Sequence, residues 1–118
     1  MHSPRVITWS PSLTIPLTHD CPWNCAYCGY RSDREGLISE AEFERLLTQA
    51  ERQGATEILF LSGEISDALP HLREELRRRG VPDFTEFARQ AAIRALDRGF
   101  LPHSNFGALS PAQLERLA

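Results

Sequence analysis

The sequence predicts an α/β fold built from βα units on a parallel sheet, forming the first part of a larger α/β barrel. Three observations lead there. Short apolar strands alternate with amphipathic helical patterns along the chain, and the helical patterns are closed by glycines. The pattern ends after three strands and the opening of a further helix. A three-strand parallel sheet would leave a long unpaired edge and an uncovered face, whereas a closed (β/α)8 barrel takes roughly 250 residues. The chain has 118 residues. Residues 1–118 therefore read as the N-terminal half of one core domain, truncated, with no second domain.

Residues 13–18 read as the first strand, in which Pro16 lacks a ladder donor and marks an edge position or a break near the strand end. A loop over about residues 19–37 follows and carries every cysteine. The first helix opens where Ser39 and Glu42 form a capping box and Ile38 and Phe43 a hydrophobic staple, and Gly54 suits its C-cap. Phe43, Leu46, Leu47 and Ala50 make its apolar face. Residues 57–62 read as a second strand, buried on both faces and ended by Gly63 and Glu64. A short helix over about residues 69–79 turns Leu69, Leu72 and Leu76 inward before Gly80. A third helix, about residues 85–98, packs through Phe84, Phe87, Ala88, Ala91, Ala95 and Leu96 and stops at Gly99. Residues 100–105 make a third strand, and Ser110 with Pro111 opens another helix, proline taking its first position.

Composition narrows the function classes. The chain is 42% hydrophobic and 25% charged with a formal net charge of −3, the profile of a soluble globular protein. All 13 basic residues are arginine, yet 16 acids outnumber them, which argues against nucleic acid as a partner. Arg77, Arg78 and Arg79 form the one basic cluster, an ordinary ornament of a helix C-terminus. The charge-free stretch 6–19 holds two prolines and several hydroxyls, so no membrane span is expected. No secretory signal is expected either, and the default location is the cytoplasm.

Three cysteines, Cys21, Cys25 and Cys28, form a C-x3-C-x2-C motif in the loop after the first strand. An odd count without a signal peptide makes a poor disulfide framework and a better metal or redox site. The spacing lets three thiolates converge from one loop, and thiolates suit zinc or iron–sulfur clusters. Structural zinc takes four protein ligands, with His19 or His71 available as the fourth. On a cubane cluster, three cysteines leave one iron open to a substrate or cofactor. The loop lies at the C-terminal end of a parallel strand, where barrel active sites are built. Otherwise His2 and His71 read as surface residues, and Trp9 and Trp23 as packing or loop anchors.

The motif, with Tyr27 just before its last cysteine, resembles the cluster-binding signature of the radical S-adenosylmethionine (SAM) enzymes. The segment Leu61, Ser62, Gly63, Glu64 resembles the glycine–glutamate segment after their second strand, with serine in place of a second glycine. Residues 7–11, 15–18, 61–64 and 101–107, the last of these Leu-Pro-His-Ser-Asn-Phe-Gly, are similar to successive segments of the 7,8-didemethyl-8-hydroxy-5-deazariboflavin (FO) synthase family, CofG-type subunit. The likeness runs from about residue 7 to 117.

That resemblance implies a partial TIM barrel in which Cys21, Cys25 and Cys28 ligate three irons of a [4Fe-4S] cluster and SAM chelates the fourth. It implies Tyr27 beside the adenine, Ser62, Gly63 and Glu64 at the methionyl amino group, and cofactor-binding roles for His103 and Asn105; plain packing, a solvated acid and turn capping are the bland alternatives. The implied reaction is radical cyclisation, through a 5′-deoxyadenosyl radical, of a hydroxybenzyl–ribitylaminouracil adduct with loss of ammonia, a lyase step of coenzyme F420 biosynthesis. A CofH-type partner subunit would make the adduct, and an electron donor would be needed. Other members of the superfamily, biotin synthase-like or menaquinone-pathway enzymes, share the triad. A non-catalytic zinc-binding module is the reading from a different class.

Overall fold

A computed structural model describes residues 3–32, 35–64 and 66–118. Its elements run β1 (Ser12–Pro16), α1 (Glu40–Arg52), β2 (Glu57–Leu61), a single 3-10 turn (Ser66–Ala68), α2 (Pro70–Arg78), α3 (Phe84–Asp97), β3 (Leu101–Asn105) and α4 (Pro111–Leu117). The sheet has the order β1-β2-β3, and both pairings are parallel. Leu13 stands opposite Ile58, and Ile58 opposite Pro102. Pro16 is the last residue of the outer strand β1, and ladder bonding resumes beyond it, where Leu17 N–H donates to Leu61 O at 2.8 Å.

The helices form where their end signals lie. The Ser39 hydroxyl accepts the Glu42 N–H, and the Ser110–Gln113 capping box of α4 closes in both directions. Asp83 caps α3 by accepting the Glu86 N–H. Each side-chain cap satisfies a donor that the first turn leaves without a partner, worth about 1 kcal/mol.

One face of the sheet is covered. Ile15, Ile58 and Phe60 are fully buried against Leu47, Leu72 and Leu76, and the rings of Phe43 and Phe60 stack at 6.1 Å. Burying side chains of this size contributes about 1.5–3 kcal/mol each. The small residues Ala88, Ala91 and Ala95 form the buried stripe of α3, and Phe84 meets Phe106 edge-on at 5.5 Å.

Two packing expectations are corrected. Leu59 and Leu61 of β2 are half-buried, because their face of the sheet has no second layer among the described residues. Leu96 is 53% exposed. One residue beyond Ala95, it is turned about 100° away from the stripe that faces the sheet. The loops after β1, β2 and β3 all leave from the same end of the parallel sheet. That end carries the site.

Candidate functional site

The cysteine loop is a closed ring. Thr18 and Leu37 form an isolated antiparallel bridge, Ile38 N–H donates to Leu17 O at 2.8 Å, and the buried Thr18 hydroxyl donates to Gly36 O at 2.9 Å. Within the ring, Tyr30 Oη donates to Thr18 O at 2.5 Å and its ring stacks on His19 at 4.7 Å. His19 Nδ1 donates in turn to Tyr30 O at 2.9 Å, since a carbonyl can only accept. Burial raises the Tyr30 phenol above its ordinary pKa, and negative charge at Cys21 and Cys28 adds to the effect. Tyr30 therefore stays a donor.

All three cysteines are free. Cys21 is half-buried at the foot of the loop, and Cys25 and Cys28 are exposed at its tip. The tip is a tight turn in which Cys28 N–H donates to Cys25 O at 3.1 Å. The Cys28 thiol is held below the usual range by the backbone N–H groups of Arg31 and Tyr30. Such N–H···S contacts stabilise the thiolate, the form that binds metal. Beside Cys25 and Cys28 lies an open polar hollow of about 220 Å³, bordered by Asp20, Asn24, Arg31 and Glu35. Among the described residues no three Cys, His, Asp or Glu side chains are gathered as a ligand set, so the loop carries three thiols without drawing them to one point. Three free thiols on one loop remain a donor set for a soft metal centre. Both histidines weighed as a fourth zinc ligand have other partners, His19 on Tyr30 and His71 on Asp20.

The end of β2 meets this loop at its foot. A Cβ placed on Gly63 would stand 2.1 Å from Asp20 O and 2.7 Å from Cys21 Cβ, so only glycine permits the approach. Ser62 N–H donates to Asn105 O at 3.4 Å, which joins the ends of β2 and β3. Glu64 is exposed and lies over Gly107, which has φ +77° and whose added Cβ would fall 2.4 Å from Glu64 Cγ. Cys21, Ser62, Gly63 and Glu64 thus come together, with the segment after Asn105 on their far side.

Other expected residues stand apart. Tyr27 is 92% exposed and packs into no core. His103 reaches toward the opposite end of the sheet, its Nε2 being 3.3 Å from Glu57 Oε2. Trp9 is 82% exposed and Trp23 51%, so neither is a packing residue of the core. His71, read as a surface residue, is half-exposed and bonds Asp20 at 2.8 Å, and His2 lies outside the described residues. Sequence reasoning missed Asp20 and Tyr30. Asp20 adjoins Cys21, but its partner His71 is 51 positions away, and nothing local marks the pair.

The sequence profile of the Radical SAM superfamily matches residues 15–118. This chain belongs to the radical SAM superfamily. The match begins within β1 and extends past α4, so the three strand ends that meet at Cys21, Gly63 and Gly107 all fall inside it.

This radical SAM chain is similar to curated proteins named 7,8-didemethyl-8-hydroxy-5-deazariboflavin synthase. That of Methanoculleus marisnigri is 39% identical over 115 residues, covering 96% of this chain and 35% of that protein. The Archaeoglobus fulgidus protein is 35% identical over 114 residues, covering 96% and 35%. The Synechococcus elongatus protein is 39% identical over 112 residues, covering 92% and 30%. The chain spans about a third of the length of these relatives. No solved structure matches it significantly. Among the described residues no helix is long and apolar enough to cross a membrane.

Proposed function

We propose that this radical SAM chain is the N-terminal part of an FO synthase of the CofG type, a lyase of coenzyme F420 biosynthesis. Its substrate is 5-amino-5-(4-hydroxybenzyl)-6-(D-ribitylimino)-5,6-dihydrouracil, which cyclises to the deazaflavin with loss of ammonia. One observation carries the reading: relatives bearing this name match 92–97% of the chain at 34–39% identity, and the matched region includes the cysteine loop seated on Gly63.

Cys21, Cys25 and Cys28 would hold three irons of a [4Fe-4S] cluster. Together with SAM, that cluster supplies one-electron reductive chemistry that starts hydrogen abstraction from the substrate. The chain's own work is placement. Gly63 seats Cys21 at the end of β2, and the backbone N–H contacts at Cys28 favour its thiolate. Glu64, exposed beside that foot, offers a carboxylate to the SAM ammonium, with Ser62 and Gly63 main chain next to it. Tyr27, free at the loop tip, is available to stack on the adenine ring. Asn105, joined to Ser62 at the end of β3, would line the wall of the same pocket, and His103, two residues earlier on that strand, would reach it only by turning away from Glu57. A CofH-type subunit supplies the adduct and a low-potential donor supplies the electron.

The test is anaerobic reconstitution of the chain, with iron and sulfide counts and electron paramagnetic resonance of the reduced sample before and after SAM. About four irons and a spectrum that shifts with SAM support the reading. One zinc per chain and no iron would replace it with a zinc-binding module. Incubation with the adduct, reductant and SAM then separates deazaflavin synthesis from the chemistry of other superfamily members. Deazaflavin fluorescence is the expected product signal.

A further inference from the structure

Helix α2 grips the cysteine loop through one polar stripe. His71, Glu75 and Arg79 are spaced four residues apart, so they share a face of α2 and its C-terminal cap. His71 Nε2 lies 2.8 Å from Asp20 Oδ2. The Glu75 carboxylate accepts the Leu37 N–H, with Oε2 at 2.9 Å. Arg79 Nη1 donates to Ile38 O at 3.0 Å, and its guanidinium lies 3.5 Å from Glu75.

These contacts converge on the two ends of the loop. Asp20, only 8% exposed, directly precedes Cys21, and its Oδ2 also accepts the Gly36 N–H at 2.7 Å. Gly36 and Leu37 close the far end. Their N–H groups are satisfied by the carboxylates of Asp20 and Glu75, so side chains reinforce the main-chain bridge between Thr18 and Leu37 that closes the loop. A buried carboxylate such as Asp20 needs donors in return, and it has two. Leu72 and Leu76, fully buried, already anchor α2 to the core. The polar stripe is therefore not what keeps the helix in place.

We propose that His71, Glu75 and Arg79, acting through Asp20 and the main chain of Gly36 and Leu37, are positioning residues. They hold the ends of the cysteine loop together and preset Cys21 against Gly63 before the cluster binds. The proposal rests on the reading of the triad as cluster ligands.

The test compares the wild-type chain with His71→Ala, Glu75→Ala and Glu75→Gln. His71 has a half-exposed side chain, so its replacement removes no core contact. Hydrogen exchange at Gly36 and Leu37 is measured on the metal-free chain. After reconstitution, the rate at which a chelator strips iron and the paramagnetic spectrum of the reduced cluster are recorded. Exchange should rise roughly tenfold or more in the alanine variants. Iron should leave faster and the spectrum broaden at unchanged melting temperature. Glu75→Gln, which keeps an oxygen acceptor for Leu37, should restore most of the wild-type behaviour. Equal exchange in all four proteins would overturn the proposal, and so would faster exchange with unchanged iron loss and spectrum. A wild-type chain that gains no iron or sulfide sinks the cluster reading and the presetting role with it, while exchange still decides whether the stripe closes the loop.

Discussion

The α-carbon of Gly63 abuts the main chain of Asp20 and Cys21 so closely that an added methyl would stand 2.1 Å from the Asp20 carbonyl oxygen. The obstacle is backbone, which cannot swing aside as a side-chain tip can. Gly63→Ala should push the cysteine loop off the end of β2, destabilise the chain by about 1–3 kcal/mol and lower iron uptake. Urea unfolding and iron counting measure both. A Gly63→Ala chain that folds and loads like wild type would show that the contact does not seat the first cysteine.

Cys25 and Cys28 are exposed, so their replacement should separate folding from metal binding. Each Cys→Ser variant should stay within about 0.5 kcal/mol of wild type in the metal-free state. Each should nonetheless fail to retain the full iron and sulfide complement on reconstitution. Cys21, half-buried at the loop foot, should show the larger stability change of the three.

Helices α1 and α3 are tied by arginines. Arg94 pairs with Glu40 and Glu44 while its guanidinium lies 4.4 Å from the centre of the Phe43 ring, and Arg98 reaches Glu44 at 2.8 Å and Glu51 at 2.5 Å. Exposed pairs of this kind contribute little individually, so Arg98→Ala should lower stability by about 0.5–1 kcal/mol. Arg94→Ala should do somewhat more, because the ring contact adds about 0.5–1 kcal/mol. Thermal melts at low and high salt give the check. The Arg98 difference should shrink with salt, whereas the Arg94 difference should persist in part.

Asp83 gives the chain an acid-sensitive contact. Its carboxylate pKa is lowered by the Arg116 hydrogen bonds, opposed by burial and helped by the Glu86 N–H. Because the folded value lies below the unfolded one, the stabilisation is fully present above the ordinary carboxylate range. It is lost as pH falls through the folded value. Asp83→Ala should cost about 1 kcal/mol at neutral pH through the lost cap, and it should flatten the acid limb of stability against pH. Urea titrations from neutral pH down into the acid limb would reveal either slope.

The sequence by itself determined the order of the elements and their ends. Ser39, Asp83 and Ser110 cap helices through atoms three residues away, and Gly54, Gly80 and Gly99 follow the helices' last turns. Signals of that range are written in neighbouring residues, which is why boundaries such as 57–62 and 85–98 differed from the structure by a residue. The cysteine motif was equally local. The packing expectations failed where they depended on a neighbour. Leu96 satisfies the helical period yet faces outward, and among the described residues β2 is covered on one face only, because burial depends on what lies opposite. Only the tertiary structure decided the surroundings of the triad. The seat of Cys21 on Gly63, the cover of Glu64 over Gly107, the turn of His103 toward Glu57 and the Asp20–His71 bond all join different strand ends or helices. Such contacts arise when a parallel sheet brings the ends of separate strands to one edge, and no spacing within a single segment records which residues will meet there.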